Sequence, residues 1–374
     1  MGNLNRIPFT EQYERVKAEL VRDNAAGTAV EAKYKGFIND VYTVELPTKV
    51  DLKHIKKTSN IITSDDYSTG TITSISGTTV TGSSTAWTSA NSNNYLFKHN
   101  SFDEVYRATY SSGTSLTLDA TWSEGSVTAG GTYKLALDRY ALATDFDQLA
   151  EDTDKSVYYW SGGTRQFLEF KTEDQWDENF TFTLSSTPSY FTIRWLTGSP
   201  YIHILQLPDS TFNVYYDYIP RLTALTEYTT GTASCTNGAT SVTGTSTDFD
   251  GYVTGSDTFY FRFDDDGTGA NSTWYQVSSA SSNTALTLSS TYNGATKTTA
   301  NYTISKLSLF PPALDLAMIY RAAALSGTTQ DNTVQIQAWD SFYNRVSGQF
   351  HTREAKAPQN QRVKSIYENP GTRR

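Results

Sequence analysis

Apolar positions recur along this chain at two periods, and the change of period marks its organisation. Residues 9–25 carry Tyr13, Val16 and Leu20 at helical spacing, with Thr10 placed to cap and Glu11 and Glu14 suited to a positive first turn. Gly27 interrupts. A second helix is predicted from about Thr28, with Ala29, Tyr34, Phe37, Ile38 and Val41 on one face and an end before Pro47. Residues 48–69 read as extended, with Ile61-Ile62 in a short strand. Further on the period falls to two. Short strands are predicted at 158–160, 167–170, 180–184, 190–195, 201–207 and 212–218, separated by turn signals such as Ser161-Gly162-Gly163 and Pro208-Asp209-Ser210, which reads as an antiparallel meander.

Residues 309–325 break both patterns, because they are apolar on nearly every side. Pro311 and Pro312 fix the backbone at the mouth of a helix, where missing N–H groups do no harm, and Gly327 is placed to end it. A helix of this kind must be covered almost all round, either within one subunit or between subunits as well. Leu314, Met318, Ile319, Tyr320 and Leu325 are therefore candidate core or inter-subunit positions. Trp339 joins them from an amphipathic helix at 333–349, whose stripe is Ile336, Trp339, Phe342, Tyr343 and Val346.

Two blocks, 70–137 and 231–305, interrupt this body with Ser, Thr and Gly and brief alternating apolar runs. They repeat each other in order: Val80-Thr81-Gly82 and Val242-Thr243-Gly244, Trp87 and Phe249, Tyr106 and Tyr275, Leu116-Thr117-Leu118 and Leu286-Thr287-Leu288, Tyr133 and Tyr302. Each is read as a small all-β sandwich or barrel inserted at an exposed turn. The expected fold class is α+β: a discontinuous core in three pieces (1–69, 138–230 and 306–374) of N-terminal and C-terminal helices plus the meander, carrying two β insertions. A string of independent domains would leave each helical pair without a partner.

Composition narrows the function classes. The chain has 374 residues, 18% charged and 13% aromatic, which is too aromatic for disorder and too polar for a membrane protein. No run approaches a membrane span, and the first residues carry no apolar signal-peptide core, so no membrane association is expected. A single cysteine, Cys235, excludes an internal disulfide framework and a cysteine zinc site. Net charge −9 argues against coating nucleic acid, though an acidic lining would suit a channel through which DNA passes without sticking. Against that balance the C-terminal stretch 351–374 is basic, with Arg353, Lys356, Arg362, Lys364, Arg373 and Arg374. It is either a frayed terminus or an arm that orders on a partner.

Signals for catalysis are weak. His54, His99, His203 and His351 are scattered, Asp264-Asp265-Asp266-Gly267 lacks the spaced ligands of a calcium loop and reads as a hairpin turn, and Glu173, Asp174, Asp177 and Glu178 around Trp176 read as a solvated turn. Gly267-Thr268-Gly269 lacks the context of a phosphate loop. Trp87, Trp122 and Trp274 suit a module core better than a sugar platform. No cofactor, metal or catalytic residue is expected.

Phe37-Ile38-Asn39-Asp40-Val41-Tyr42, Tyr140-Ala141-Leu142-Ala143-Thr144-Asp145-Phe146, Tyr215-Tyr216-Asp217-Tyr218-Ile219-Pro220 and 309–325 followed by Trp339 and Tyr343 resemble the head-to-tail adaptor (connector) proteins of tailed phages, podoviruses especially. The first looks like their Asn-x-x-Tyr on helix two, and the second like their Tyr-x-Leu-Pro-x-Asp-Phe strand entry, with Ala143 in place of the proline. The inserts look like immunoglobulin-like phage surface modules. The resemblance implies a non-enzymatic virion protein at the head–tail junction: an annular homo-oligomer, twelve copies in known members, docked under the portal and continuing its DNA channel. It makes Arg353, Lys356, Arg362, Lys364, Arg373 and Arg374 candidate portal contacts. It also points the β-modules outward, towards tail nozzle and tail-fibre proteins. The competing expectation is a tail-fibre or surface protein whose β-modules bind host glycan. A polysaccharide-degrading enzyme is a third reading, which the lack of convergent carboxylates or histidines disfavours.

Overall fold

The computed structural model describes residues 6–19, 28–150, 153–179, 182, 184–185, 187–255, 257–266, 273–326 and 333–355. The class is α+β with several antiparallel sheets. The chain divides into two compact units, Lys56–Arg221 on one side and Met1–Ile55 with Leu222–Arg374 on the other. The meander and the first turn-rich block share the former, and the helices and the second block share the latter.

In the unit Lys56–Arg221, strand β1 (Lys57–Ile62) precedes the first block. The block contributes β2 (Thr71–Ser76), β3 (Thr79–Ser83), β4 (Tyr95–His99), β5 (Val105–Ser112), β6 (Ser115–Leu118) and β7 (Tyr133–Ala136). They form one sheet in the order β2-β3-β6-β5-β4-β7. A bridge between Ile72 and Gly131, just ahead of β7, brings its two edges together around Trp87, Phe97, Leu116 and Tyr133.

Ten strands follow: β8 (Arg139–Ala141), β9 (Phe146–Leu149), β10 (Val157–Ser161), β11 (Thr164–Phe167), β12 (Glu169–Phe170), β13 (Leu184–Ser185), β14 (Tyr190–Leu196), β15 (Ser199–Leu205), β16 (Leu207–Pro208) and β17 (Asn213–Pro220). They do not make the single antiparallel meander expected from their spacing. One sheet runs β1-β17-β10-β11 with β9 also on β17, a second runs β12-β14-β15-β8, and β13 pairs β16. The β12–β14 and β13–β16 pairs are parallel. The reason is topological. β17 takes its neighbour β1 from before the inserted block, a pairing across some 150 residues that no turn signal announces. Ile61, Val157, Val214 and Tyr216 from the first sheet meet Tyr140, Phe191, Ile202 and Ile204 from the second in one core.

The predicted turn at Glu173–Glu178 is instead a short helix, Glu173–Asn179. Thr172 and Gln175 exchange backbone-to-side-chain hydrogen bonds at its start, a capping box, and Trp176 is buried.

In the other unit the first helix spans Phe9–Glu19. It begins directly after Pro8, so Thr10 lies inside it, and the Thr10 hydroxyl donates to Glu227 (2.7 Å) in place of capping. The second helix, Thr28–Asp40, does not stop before Pro47. A wider turn at Val41–Glu45 carries it into Leu46–Lys49, because a π-type turn re-spaces the bonding around the N–H that proline lacks. Tyr34, Ile38, Val41, Tyr42 and Leu46 are all buried. The helix opened by the two prolines spans Pro312–Ser326, and the last spans Thr333–Ala355, with Trp339 and Tyr343 buried on its stripe.

The second block supplies β18 (Glu227–Tyr228), β19 (Thr232–Cys235), β20 (Ser241–Thr245), β21 (Phe259–Phe263), β22 (Tyr275–Ser282), β23 (Ala285–Leu288), β24 (Lys297–Ala300) and β25 (Tyr302–Lys306). The order β25-β21-β22-β23-β20-β19 reproduces that of the first block, and β24, continuous with β25, hooks back onto β19. The repeat extends to single bonds. Thr85 Oγ1 donates to the Gly113 carbonyl (2.7 Å) as Thr247 Oγ1 does to Asn283 (2.6 Å). Tyr133 donates to Thr69 (2.6 Å) as Tyr302 does to Thr230 (2.5 Å).

Gly70 and Gly231 open the two modules with φ of +82° and +81°. A Cβ at Gly70 would lie 2.6 Å from the Ser83 carbonyl oxygen, and one at Gly231 2.6 Å from that of Ser246. Gly70→Ala and Gly231→Ala should therefore each destabilise their own module by about 2–4 kcal/mol, since left-handed strain adds to a backbone clash. Chemical denaturation of the two variants checks this, and similar losses are expected because the corner is the same.

Candidate interaction surface

The helix Pro312–Ser326 is covered by its own unit, packed against the first, second and last helices. Leu314, Met318 and Ile319 are buried, Tyr320 and Leu325 half-buried, and Tyr320 meets Phe342 edge-on at 5.0 Å. Leu314, Met318, Ile319 and Trp339 are core within a single chain, whereas Tyr320 and Leu325 keep part of their surface. Of the basic tail, Arg353 falls in the last turn of the last helix, while Lys356, Arg362, Lys364, Arg373 and Arg374 lie outside the described residues.

Several of the charged groups singled out in the sequence are engaged in structure. His203 and Arg107 meet Asp138 where the first module joins the second sheet: both Arg107 terminal nitrogens lie 2.9 Å from its two oxygens, and His203 Nδ1 3.4 Å away. Burial alone would raise the Asp138 carboxyl, but its bonds to His203 and Arg107 outweigh that and hold it down at about 2. In the second module Asp264 accepts from Thr303 (2.7 Å), Asp266 from Tyr292 (2.7 Å), and Lys297 pairs with Asp265 (2.6 Å) and Asp266 (3.2 Å). Gly267-Thr268-Gly269 lie outside the described residues. Among the described residues no three His, Cys, Asp or Glu side chains come together as a metal site. Trp87 is core, donating to Tyr133 (2.9 Å), whereas Trp122 is half-buried and Trp274 half-buried under the Arg262 guanidinium (4.6 Å).

The residues of the adaptor resemblance hold the fold together. Asn39 pairs with the Leu225 backbone through both its amide groups (2.7 and 3.1 Å), and buried Tyr42 accepts from the Leu309 N–H (3.3 Å). Asp145 accepts from Lys57 and Tyr218 (both 2.8 Å). At Ala143, where the adaptor motif has proline, the N–H donates to the Tyr216 hydroxyl (2.8 Å), a bond proline could not make.

What the sequence reading missed lies on the outer face of the sheet β1-β17-β10-β11. Side chains alternate between faces, so Ile61, Tyr159, Val214 and Tyr216 fill the core while their neighbours point away. Register places Asn60, Tyr215, Tyr158 and Phe167 in one outer row. On the same face Ile62 pairs with Asn213, and Trp160 with Arg165. Ile62, Trp160 and Phe167 are 59%, 52% and 47% exposed. Tyr158 is buried by its neighbours, stacked on Tyr215 (5.7 Å, 17°) with the Arg165 guanidinium 4.3 Å above its ring. At the rim the four residues of β11 are all exposed, and among the described residues β11 pairs only with β10. The available signal was Val157-Tyr158-Tyr159-Trp160, a strand apolar on both faces, one of which the core does not use. Aromatic rings, an arginine and an open strand edge are the composition of a protein-binding surface. No family model matches the chain, and no match to it was found among curated proteins or solved structures.

Proposed function

We propose that this chain is a non-enzymatic structural subunit of the head-to-tail adaptor class: a ring-forming virion protein that joins the capsid portal to the tail and continues the DNA channel. The observation that carries the reading is the exposed aromatic face with its open edge, on a unit whose own core is already filled. A surface of that kind calls for a protein partner, which a self-associating subunit supplies. The portal, through the basic tail, and the nozzle and fibre proteins, through the β-modules, are the further partners. The immunoglobulin-like assignment of the modules rests on their turn-rich strands. Their single curled sheets, held at the base by Arg107–Asp138 in one and Arg262–Glu14 (2.6 Å) in the other, suit rigid display.

The test is the mass of the purified protein, alone and with portal rings. Annular multimers in either sample are expected, and a low-order species indifferent to portal overturns the reading. A second reading, host-glycan binding, is favoured by Trp160 beside Arg165 and the Asn60 and Asn213 amides, which are groups that stack on and bond to sugars. Glycan capture without portal-dependent assembly would select it.

A further inference from the structure

We propose that the open edge β11 receives strand β1 of a second copy, so that the sheets of successive copies join head to tail. The inference rests on the self-associating reading above and names the surface and polarity by which it happens.

Three features of the sheet carry it. First, its two rims are different strands: along the path β1-β17-β10-β11 each end strand has a single partner within the sheet, β17 for β1 and β10 for β11. Second, every join along the path is antiparallel, and the path holds an even number of strands. β1 and β11 therefore run in opposite directions, and a neighbouring copy in the same orientation meets β11 with its β1 antiparallel. That is the better-bonded type of ladder. Third, the apolar groups on both rims lie on one face: Ile62 on β1, and Phe167 beside Trp160 at β11. Joining the rims continues that face from copy to copy and covers Ile62 and Phe167 against each other's neighbours.

The edge also has its donors aimed outward. The Leu168 N–H donates to the Val157 carbonyl (3.0 Å), inward across the hairpin. By alternation Gln166 points the same way, and the N–H groups of Arg165 and Phe167 point to the outside. Two unlike edges that pair give a heterologous contact, which closes into a ring or runs on as a filament, not a two-fold dimer.

The experiment uses the full chain, with Cys235 as its single and buried native cysteine. Asn60→Cys and Phe167→Cys are made singly and together, and samples shown by native mass spectrometry to be multimeric, alone or on portal rings, are treated with a short bis-maleimide. The double variant should give a ladder of covalent multimers and neither single variant a covalent dimer. Assembly of normal mass without the ladder overturns the joint and leaves the ring reading standing. A dimer from the Phe167→Cys single variant overturns it too, since β11 would then be pairing with itself. No multimer under any condition fails both.

As a second measurement, Arg165→Pro removes an outward donor without touching the bonds to β10, and Arg165→Ala keeps that donor. The proline variant should weaken self-association by about tenfold or more and the alanine variant by much less. Equal effects overturn edge pairing.

Discussion

Replacing Arg6 by methionine should cost the helical unit about 3–5 kcal/mol at neutral pH, because it leaves the Asp315 carboxylate buried without its cation. Asp315 sits in the first turn of the helix Pro312–Ser326 with no solvent exposure. Arg6 reaches it from the N-terminal end of the chain through Nε (3.1 Å) and donates to the Ser308 carbonyl (2.5 Å), while the Ser308 hydroxyl donates to the other carboxylate oxygen. Burial raises the Asp315 carboxyl from 3.8 to about 6, which Arg6, Ser308 and the Ile7 N–H offset only in part. A folded value above the unfolded one gives stability that is complete below about pH 4 and lost as pH rises through 6, about 3 kcal/mol in all. Urea titrations of wild type and Asp315→Asn between pH 4 and 7 measure that slope as their difference. The Arg6→Met loss should shrink towards pH 4.5, where Asp315 is already neutral. Arg6→Met with Asp315→Leu should recover most of it, since an apolar pair leaves no orphaned charge.

The second large effect has the opposite sign in pH and belongs to the other unit. Asp138→Ala should cost about 3–5 kcal/mol, because half-buried Arg107 and buried His203 then lose the acceptor they share, which leaves Arg107 with only the Asn94 carbonyl. The carboxyl is held at about 2, below its unfolded value of 3.8. Its contribution is therefore present above pH 4 and lost as pH falls through 2, about 2–3 kcal/mol. Acid titration of wild type against Asp138→Asn isolates the slope. Because the three groups tie the first β-module to strand β15, amide exchange and proteolysis at the module base should accelerate in Asp138→Ala while the sandwich core around Phe191 and Ile202 keeps its protection. Unchanged exchange at the base would mean that the apolar contact of Leu96, Ala136 and Leu207 suffices to hold the module.

Much of the fold was legible in local patterns. The helical stripes place Tyr34, Ile38, Trp339 and Tyr343 inside, and the ordered repeats anticipate two modules of one strand order. Such features depend on neighbours within a few residues, where period, turn chemistry and capping act. The exposed aromatic face was not legible, since the apolar groups of Ile62, Trp160 and Phe167 share a face only once β17 lies between β1 and β10.

The amino-acid sequence by itself determined most of the helices and strands, though not the helix at Glu173–Asn179, that 309–325 must be enclosed, and that the two turn-rich blocks are copies of one design. Only the tertiary structure decided that most of the enclosure comes from the chain's own helices, that the expected meander splits into two sheets and a separate parallel pair, and which face and rim of the first sheet are left open among the described residues. The physical reason is range. Backbone preference and hydrophobic period are set over a turn or a strand, whereas burial and sheet partnership are settled between residues that the chain separates by a hundred or more.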